Sequence, residues 1–274
     1  MTHSRGHLNP GQPEVVFDRF ELAATYSELV RHVWVARWDV PPGVVRTQYV
    51  LTYPTFNLVL THGEAALYGL DPMLCRHALE GNSWCVGVLL RPAAGMLLTG
   101  TAASELVGRG ERLATPPRLA LLDEDSVQDR AVVSSVLQEW LAPLVPRLDE
   151  PAHMVNSACR IAEEDRELLR SADLASQMGV SVRTLERLTR HYLGVSPKWL
   201  IDCRRMQQAA TALFDGSRDI ELSALAAGLG YFDYPHFSRR YRQVMGETPE
   251  QTRQRAQARR RERDGSAPRL QAPN

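Results

Sequence analysis

The chain has 274 residues, 44% of them hydrophobic, and a formal net charge of zero. This length exceeds a typical single domain, and the composition is that of an ordinary globular protein with enough apolar residues for two cores, so a disordered or fibrous chain is excluded. The zero total conceals an asymmetry: residues 1–154 carry 12 Arg against 17 Asp and Glu, and residues 155–274 carry 20 Lys and Arg against 15. A basic half suits a phosphate-bearing partner, and an acidic half beside it also suits docking of one on the other.

The four cysteines, Cys75, Cys85, Cys159 and Cys203, form no CxxC pair and no zinc spacing, and are expected to be reduced, mostly buried thiols. Residues 1–14 lack the apolar core of a signal peptide, and no run of 18 apolar residues occurs, so a cytoplasmic protein with no membrane contact is expected.

In chain order, residues 29–98 read as short strands. Segments 33–38, 44–51, 56–61, 65–68 and 84–90 are rich in β-branched and aromatic residues, and Pro41-Pro42-Gly43, His62-Gly63-Glu64, Gly81-Asn82 and Arg91-Pro92 punctuate them. Such strands, at intervals of roughly ten residues, predict a small sandwich or barrel. Trp34, Trp38, Tyr49, Tyr53 and Trp84 either line a small-molecule pocket or fill the core. Residues 101–144 return to helical patterning, with Val132, Val133, Val136, Leu137, Trp140, Leu141 and Leu144 forming one apolar stripe. Pro143, Pro146 and Pro151 mark a linker, and a helix is expected over 155–169.

The stretch that follows says the same thing twice. Leu174, Ala175 and Gly179 are answered by Leu225, Ala226 and Gly230 at a spacing of 51; Leu185, Arg187, Arg190, Gly194 and Pro197 are answered by Phe237, Arg239, Arg242, Gly246 and Pro249 at 52. The extra residue falls in Gly230-Tyr231-Phe232-Asp233, a turn one residue longer than Gly179-Val180-Ser181. Each copy reads as a short helix, a glycine-containing turn and a longer helix, the pattern of a helix-turn-helix.

In the first copy Asp173 is expected to cap a helix running to about Met178, and Ser181 to cap a second over 182–193. At ~100° per residue, Leu188 and Tyr192 fall within ~60° of Leu185 and face a core, while Arg183, Arg187 and Arg190 share the outer face. In the second copy Phe237, Tyr241 and Val244 face inward, Arg239 and Arg242 outward, and Tyr234, His236 and Ser238 sit at the start and flank of the helix.

Between the copies a helix from Pro197, stopped by Gly216, carries Trp199, Leu200, Cys203, Met206, Ala210 and Leu213 at helical spacing. A strut of this kind, ~27 Å long at 1.5 Å per residue, would let two heads approach successive major-groove faces ~34 Å apart. Beyond the second copy, Arg259-Arg260-Arg261 reads as a solvated helix end or a set of phosphate contacts, and disorder is expected after about Asp264.

The sequence Ala175-x3-Gly179-x-Ser181-x-Arg183-x-Leu185-x-Arg187, then Gly194-x-Ser196-Pro197, Arg204 and Ala209, then Leu225-Ala226-x3-Gly230-Tyr231-x-Asp233, His236-Phe237-Ser238-Arg239-x-Tyr241 and Gly246-x-Thr248-Pro249 resembles the AraC/XylS family of bacterial transcription regulators over roughly residues 154–253. The resemblance implies base-reading roles for Arg183, Thr184, Glu186 and Arg187 in the first motif and for Tyr234, His236, Ser238 and Arg239 in the second. Arg190 and Arg242, on the same faces, join the expected DNA contacts. Tyr241 stands where the family usually has phenylalanine, and Thr189 where it usually has an aromatic, which is expected to loosen packing of the first motif.

The N-terminal domains of this family are commonly cupin-like barrels, and Gly87-Val88-Leu89-Leu90-Arg91-Pro92 is similar to a stretch seen in some of them. The expected class is therefore α+β: a cupin-like sensor and dimerisation domain over 1–150, an all-α DNA-binding domain over 151–256 with two helix-turn-helix motifs joined by a linker helix, and an arginine-rich tail over 257–274. The family implies that the apolar stripe within 127–144 supports dimerisation; packing on its own barrel is the alternative. Metal-dependent cupins need clustered histidines, whereas His32, His62 and His77 stand alone, so neither metal nor cofactor is expected.

The resulting expectation is a regulator, not an enzyme, that binds double-stranded promoter DNA as a homodimer, contacts RNA polymerase and responds to a small-molecule effector. Trp34, Trp38, Tyr49 and Trp84 are the candidate effector contacts. Activation is commoner than repression in the family. Two alternatives stand beside it: a catalytic N-terminal domain, as in DNA-repair regulators with a methyl-accepting cysteine in a Pro-Cys-His-Arg context that none of the four cysteines has, and an N-terminal domain that only oligomerises.

Overall fold

A computed structural model describes residues 12–51, 53–214 and 220–263, with side chains described as far as residue 258. Gly216, the Arg259-Arg260-Arg261 side chains and the segment beyond Arg263 lie outside this description.

Eight strands and a short helix occupy the first hundred residues or so. Strands β1 (Val15–Phe20), β2 (Val30–Asp39), β3 (Arg46–Val50), β4 (Asn57–Thr61), β5 (Glu64–Tyr68), β6 (Cys75–Leu79), β7 (Asn82–Leu90) and β8 (Gly110–Arg112) are joined by helix α1 (Pro92–Leu98) between β7 and β8. Six pair antiparallel in the order β1-β2-β7-β4-β5-β8, and β3 and β6 form a separate two-stranded ribbon. The fold is thus α+β, with its strand region built as an open sheet and a ribbon among the described residues.

Alternation sets the buried face of the sheet. In β2 Val33 and Val35, in β7 Trp84, Val86, Val88 and Leu90, in β4 Leu58 and Leu60, and in β5 Ala65 and Leu67 all point to one side and are buried. Helix α2 (Arg130–Leu141), capped by Asp129, lays its stripe on this core: Val133, Val136, Leu137 and Leu141 are buried within the chain. The stripe therefore packs on its own sheet, the second of the two outcomes the sequence left open.

Several expected boundaries move. Residues 101–129 hold β8 and short 3-10 turns instead of an α-helix. The prolines do not make an extended linker: Pro143 and Pro146 lie in a 3-10 run, Ala142–Arg147, and Pro151 lies in the first turn of α3 (Glu150–Glu164), where its missing N–H has no helical partner to lose. Helix α3 begins five residues before the expected start and ends at Glu164.

Five further helices build the heads: α4 (Ser171–Gln177), α5 (Val182–Leu193), α6 (Pro197–Phe214), α7 (Leu222–Gly228) and α8 (Tyr234–Met245). Helix α9 (Pro249–Arg263) ends the described chain. Asp173 does not cap α4; it sits in the first turn and pairs with Arg170 at 3.0 Å.

The N-terminal sheet and the first head share one apolar cluster, which includes Val33, Val86 and Leu137 as well as Leu174, Leu185 and Leu193. Polar ties cross the same seam. A register shift between Val30 and His32 turns Arg31 toward α3, where it makes a two-pronged pair with Glu163, and buried Asn156 accepts from Ala93 N–H (3.3 Å) and donates to the Glu28 carbonyl (2.9 Å). The second head has its own cluster around Phe237 and Tyr241, with buried Leu51 added from the end of β3.

Candidate nucleic-acid interface

The two longer helices of the repeat, α5 and α8, start from side-chain caps. Ser181 Oγ accepts from the Thr184 N–H (3.1 Å), and Asp233 Oδ1 accepts from the His236 N–H (2.7 Å). The preceding turns are also alike: Gly179 and Gly230 take φ of +65° and +76°, a left-handed conformation that glycine adopts without a Cβ clash.

The faces pointing outward are those the helical angles predict. Arg183, Glu186, Arg187 and Arg190 on α5 and His236, Arg239 and Arg242 on α8 are exposed, while Thr184, Tyr234 and Ser238 are half-buried. Among the described residues the side chains of Arg183, Arg187, Arg190, Arg239 and Arg242 make no ion pair and no hydrogen bond. The inward faces are closed: Leu185 and Thr189 on α5, and Phe237 and Tyr241 on α8, are all 0% exposed.

The two departures from the family pattern are both accommodated. The Tyr241 hydroxyl donates to Thr252 Oγ1 at 3.0 Å, and Thr252 in turn donates to Glu247, so the added oxygen is satisfied in the core. Thr189 turns its hydroxyl back to the Glu186 carbonyl at 3.3 Å.

Arginines of the same segment behave in opposite ways according to their place. Arg240, next to Arg239, turns inward to Asp202 (3.7 Å). On the strut α6, buried Arg204 donates to the Leu168 carbonyl in the first head (2.6 Å), and buried Arg205 donates to the Leu229 carbonyl in the second (2.6 Å). Arg205 also pairs with Asp202 (3.3 Å) and lies 3.8 Å from the Tyr231 ring centroid. These two adjacent side chains fix the strut to both heads. The role of Arg205 was not apparent in the sequence; the nearest signal was the Asp202/Arg205 charge pair at i, i+3 on the strut.

The N-terminal region grips the heads at the far ends of their outer helices. A Cβ on Gly194, which ends α5, would stand 2.6 Å from the Ser104 backbone. The Leu74 N–H donates to the Val244 carbonyl near the end of α8 (2.8 Å), and Arg255 of α9 stacks on Tyr49 of β3 (5.0 Å). The N-terminal ends of α5 and α8 stay open, as the exposure of Val182 and Phe232 shows.

The candidate effector contacts are not brought together. Trp34 and Trp38 point from one face of the sheet and Trp84 from the other, because Arg37, not Trp38, stands opposite Trp84. Trp34 lies across Gly87 and donates to Asn57 (3.3 Å), Trp38 donates to the Glu80 carbonyl (3.1 Å), Trp84 is buried against His62, and Tyr49 belongs to the ribbon. A cleft of about 470 Å³ lies elsewhere, between α1, the 113–118 segment, α2 and the 3-10 run before α3. Leu97, Leu98, Val136, Leu144 and Trp140 line it together with Arg118, Glu139 and Arg147, and Arg118 pairs with Glu139 (3.3 Å). Nothing in the periodicity of these segments marked it.

Burial disfavours the charged forms of His32 and of the four cysteines. Burial, reinforced by Arg19, Arg31 and Arg91, lowers the His32 pKa to about 3, and His32 Nδ1 lies 2.9 Å from the Arg19 guanidinium. Cys159 and Cys203 are buried and Cys75 and Cys85 half-buried; burial pushes Cys75, Cys85 and Cys159 up to about 12 and Cys203 in the same direction. A nucleophilic thiol needs the opposite shift. Among the described residues no three His, Cys, Asp or Glu side chains are grouped to hold a metal, and no helix is long and apolar enough to cross a membrane.

Against known proteins, residues 174–255 match the model of a helix-turn-helix domain, and residues 20–111 match that of a domain of unknown function, DUF6597. Residues 174–255 are an AraC-type helix-turn-helix domain. Its two motifs are the two capped heads described above. A probable AraC family regulator from Rhodopseudomonas palustris CGA009 is 28% identical, with 38% of this chain and 97% of that chain covered and a TM-score of 0.36. A regulator with an AraC-type DNA-binding domain from Chromobacterium violaceum is 29% identical over 42% of this chain and 96% of its own, with a TM-score of 0.32. ToxT from Vibrio cholerae O395 is 10% identical over 88% of this chain and 97% of its own, with a TM-score of 0.39. No curated protein matches the chain in sequence. The AraC-type domain thus coincides with the part of the chain that carries the repeat.

Proposed function

We propose that the protein is a sequence-specific transcription regulator that reads two adjacent major-groove segments of duplex DNA with α5 and α8. The observation that carries this reading is the repeated stripe of exposed, unpaired arginines on two equivalent, capped helices. A guanidinium without an internal partner is available for guanine or phosphate, and its desolvation is offset only by such a partner. Arg183, Thr184, Glu186, Arg187 and Arg190 make the first set of contacts, and Tyr234, His236, Ser238, Arg239 and Arg242 the second. The strut with Arg204 and Arg205 holds the spacing between them.

Residues 1–150 form the sensing and assembling part, 151–256 the DNA-binding part and 257–274 a basic tail. The effector site is the cleft beside Trp140, because it has the volume of a small-molecule site, a largely apolar lining with a few charged groups (Arg118 paired with Glu139, and Arg147), and one of its walls leads directly into α3. An occupant there would bias the run 142–147 and so the placement of the heads. Homodimerisation, contact with RNA polymerase, activation and a cytoplasmic setting belong to the same reading on the resemblance of residues 154–253, and no catalytic step is part of it.

Arg187→Ala and Arg239→Ala should each weaken binding to the preferred duplex by about 1–3 kcal/mol and relax preference at one base pair, each in a different half of the site. Titrations of both variants against single-base duplex variants test this. Equal losses on all sequences would make them phosphate contacts.

A further inference from the structure

The turn before α8 holds one residue more than the turn before α5, and the hydrogen bonds identify which. Val180 N–H donates to the Ala175 carbonyl (3.0 Å) and Tyr231 N–H to the Ala226 carbonyl (3.0 Å), so Tyr231 is the structural counterpart of Val180. Tyr231 is buried, its ring packed on Phe237 (5.3 Å) and next to Arg205. The next position in the first turn is the cap, Ser181; in the second, Phe232 comes before the cap, Asp233. Phe232 is therefore the inserted residue, and the insertion pushes it outward.

It is 97% exposed, whereas the next most exposed large apolar side chain among the described residues, Met73, is 56% exposed. A phenyl ring held in water, flanked by Asp233 on a tight turn, has nothing to pack on among the described residues. It stands at the open, N-terminal end of α8, beside Tyr234 and His236, the end that meets base edges when such a helix enters the major groove. The first head has no residue at this place: Val182, 41% exposed, follows its cap as Tyr234 follows Asp233. A phenyl ring cannot hydrogen-bond a phosphate or a base edge, and the apolar group projecting into the major groove is the thymine methyl.

Resting on the DNA-reading assignment above, we propose that Phe232 is a specificity residue that packs on a thymine methyl group at the edge of the segment read by α8. Thymine-to-deoxyuridine replacement removes that methyl and nothing else. The test uses the full chain, wild type and Phe232→Ser, titrated at fixed salt against the preferred duplex with the thymines of the α8 half-site replaced one at a time by deoxyuridine. Wild type should lose about fourfold in affinity at one position, equivalent to about 0.8 kcal/mol for one methyl group left in water. Phe232→Ser should bind the thymine duplex about as weakly and be indifferent to the replacement.

Because the side chain is fully exposed, an unchanged melting temperature is expected for the variant, which separates reading from folding. Wild type indifferent to every replacement would overturn the inference and assign Phe232 to the sugar–phosphate backbone if Phe232→Ser still binds less tightly, or to a protein partner if it does not. Equal sensitivity of wild type and variant to deoxyuridine would overturn it as well. Failure of wild type to prefer any duplex would instead overturn the DNA-reading assignment, and this inference with it.

Discussion

The first head is continuous with the N-terminal sheet, since Leu174, Leu185 and Leu193 lie in one apolar cluster with Val33, Val86 and Leu137, whereas the second head closes around Phe237 and Tyr241 and takes in only Leu51 and the half-buried Leu74 from the N-terminal region. Both heads carry the same repeat, the same kind of cap and the same left-handed glycine in the turn. The repeat therefore specifies the local unit, and the unrepeated residues decide what each unit is fastened to. The first head is set by the sheet and α3; the second is held by the strut and a narrow N-terminal contact, so it has more freedom to respond to a change in the N-terminal region.

Cutting the strut's ties one at a time separates the two heads most strongly. Arg205→Ala takes the side-chain partner from the Leu229 carbonyl and the Tyr231 ring, leaves Asp202 with Arg240 alone, and should destabilise the second head by about 3 kcal/mol. Arg204→Ala, which removes a bond to one carbonyl, should cost about 2 kcal/mol and act on the first head. Urea unfolding followed by a probe in each head would separate them; equal effects on both heads would mean that the strut couples them into one unit.

Leu51→Ala sharpens the contrast from the N-terminal side. A fully buried leucine truncated in place should lose about 2–3 kcal/mol, felt at α8 and not at α5. Amide exchange on the two helices reads this directly, and equal loss of protection on both would contradict separate anchoring.

A smaller effect, about 1 kcal/mol, is expected for Tyr241→Phe, because only the hydrogen bond to Thr252 disappears while the ring stays packed. A neutral or stabilising result in thermal unfolding would mean that the hydroxyl contributes nothing to the second core.

The last contrast is pH. His32 has an ordinary pKa of 6.5 and a folded one of about 3, so between these values the unfolded chain binds a proton that the folded chain does not. Its contribution to stability is complete above about pH 6.5 and is lost as pH falls toward 3. In His32→Gln the stability–pH curve should be flatter over that window, on the sheet beside the first head and not at the second. An identical slope in the variant would exclude His32 as the source.

Much of the DNA-binding half was legible because short-range rules agree there. In α5, Ser181 as cap, the Leu185/Leu188/Tyr192 face and Gly194 all point to the same boundaries, and the structure places the helix at Val182–Leu193. Elsewhere the local signals misled or fell silent. Pro92 reads as punctuation yet opens α1. Strand β6, Cys-Arg-His-Ala-Leu, is mostly exposed and shows no apolar alternation.

The position of Trp34 and Trp84 on opposite faces depends on strand register across a whole sheet. The burial of Arg204 and Arg205 depends on two carbonyls 36 and 24 residues away. The cleft beside Trp140 is assembled from segments far apart in sequence, and no single segment carries its signature.

Genomic fragments selected by the purified full chain at a fixed salt concentration report whether the two heads read sequence, since salt alone can change such affinities by orders of magnitude. Two heads spaced by the strut predict one enriched motif with two half-patterns about one helical turn apart, the half read by α8 vanishing first when Arg239 is replaced. Retention that tracks salt but enriches no motif would contradict the account, and would reduce the arginine stripes to non-specific phosphate contacts.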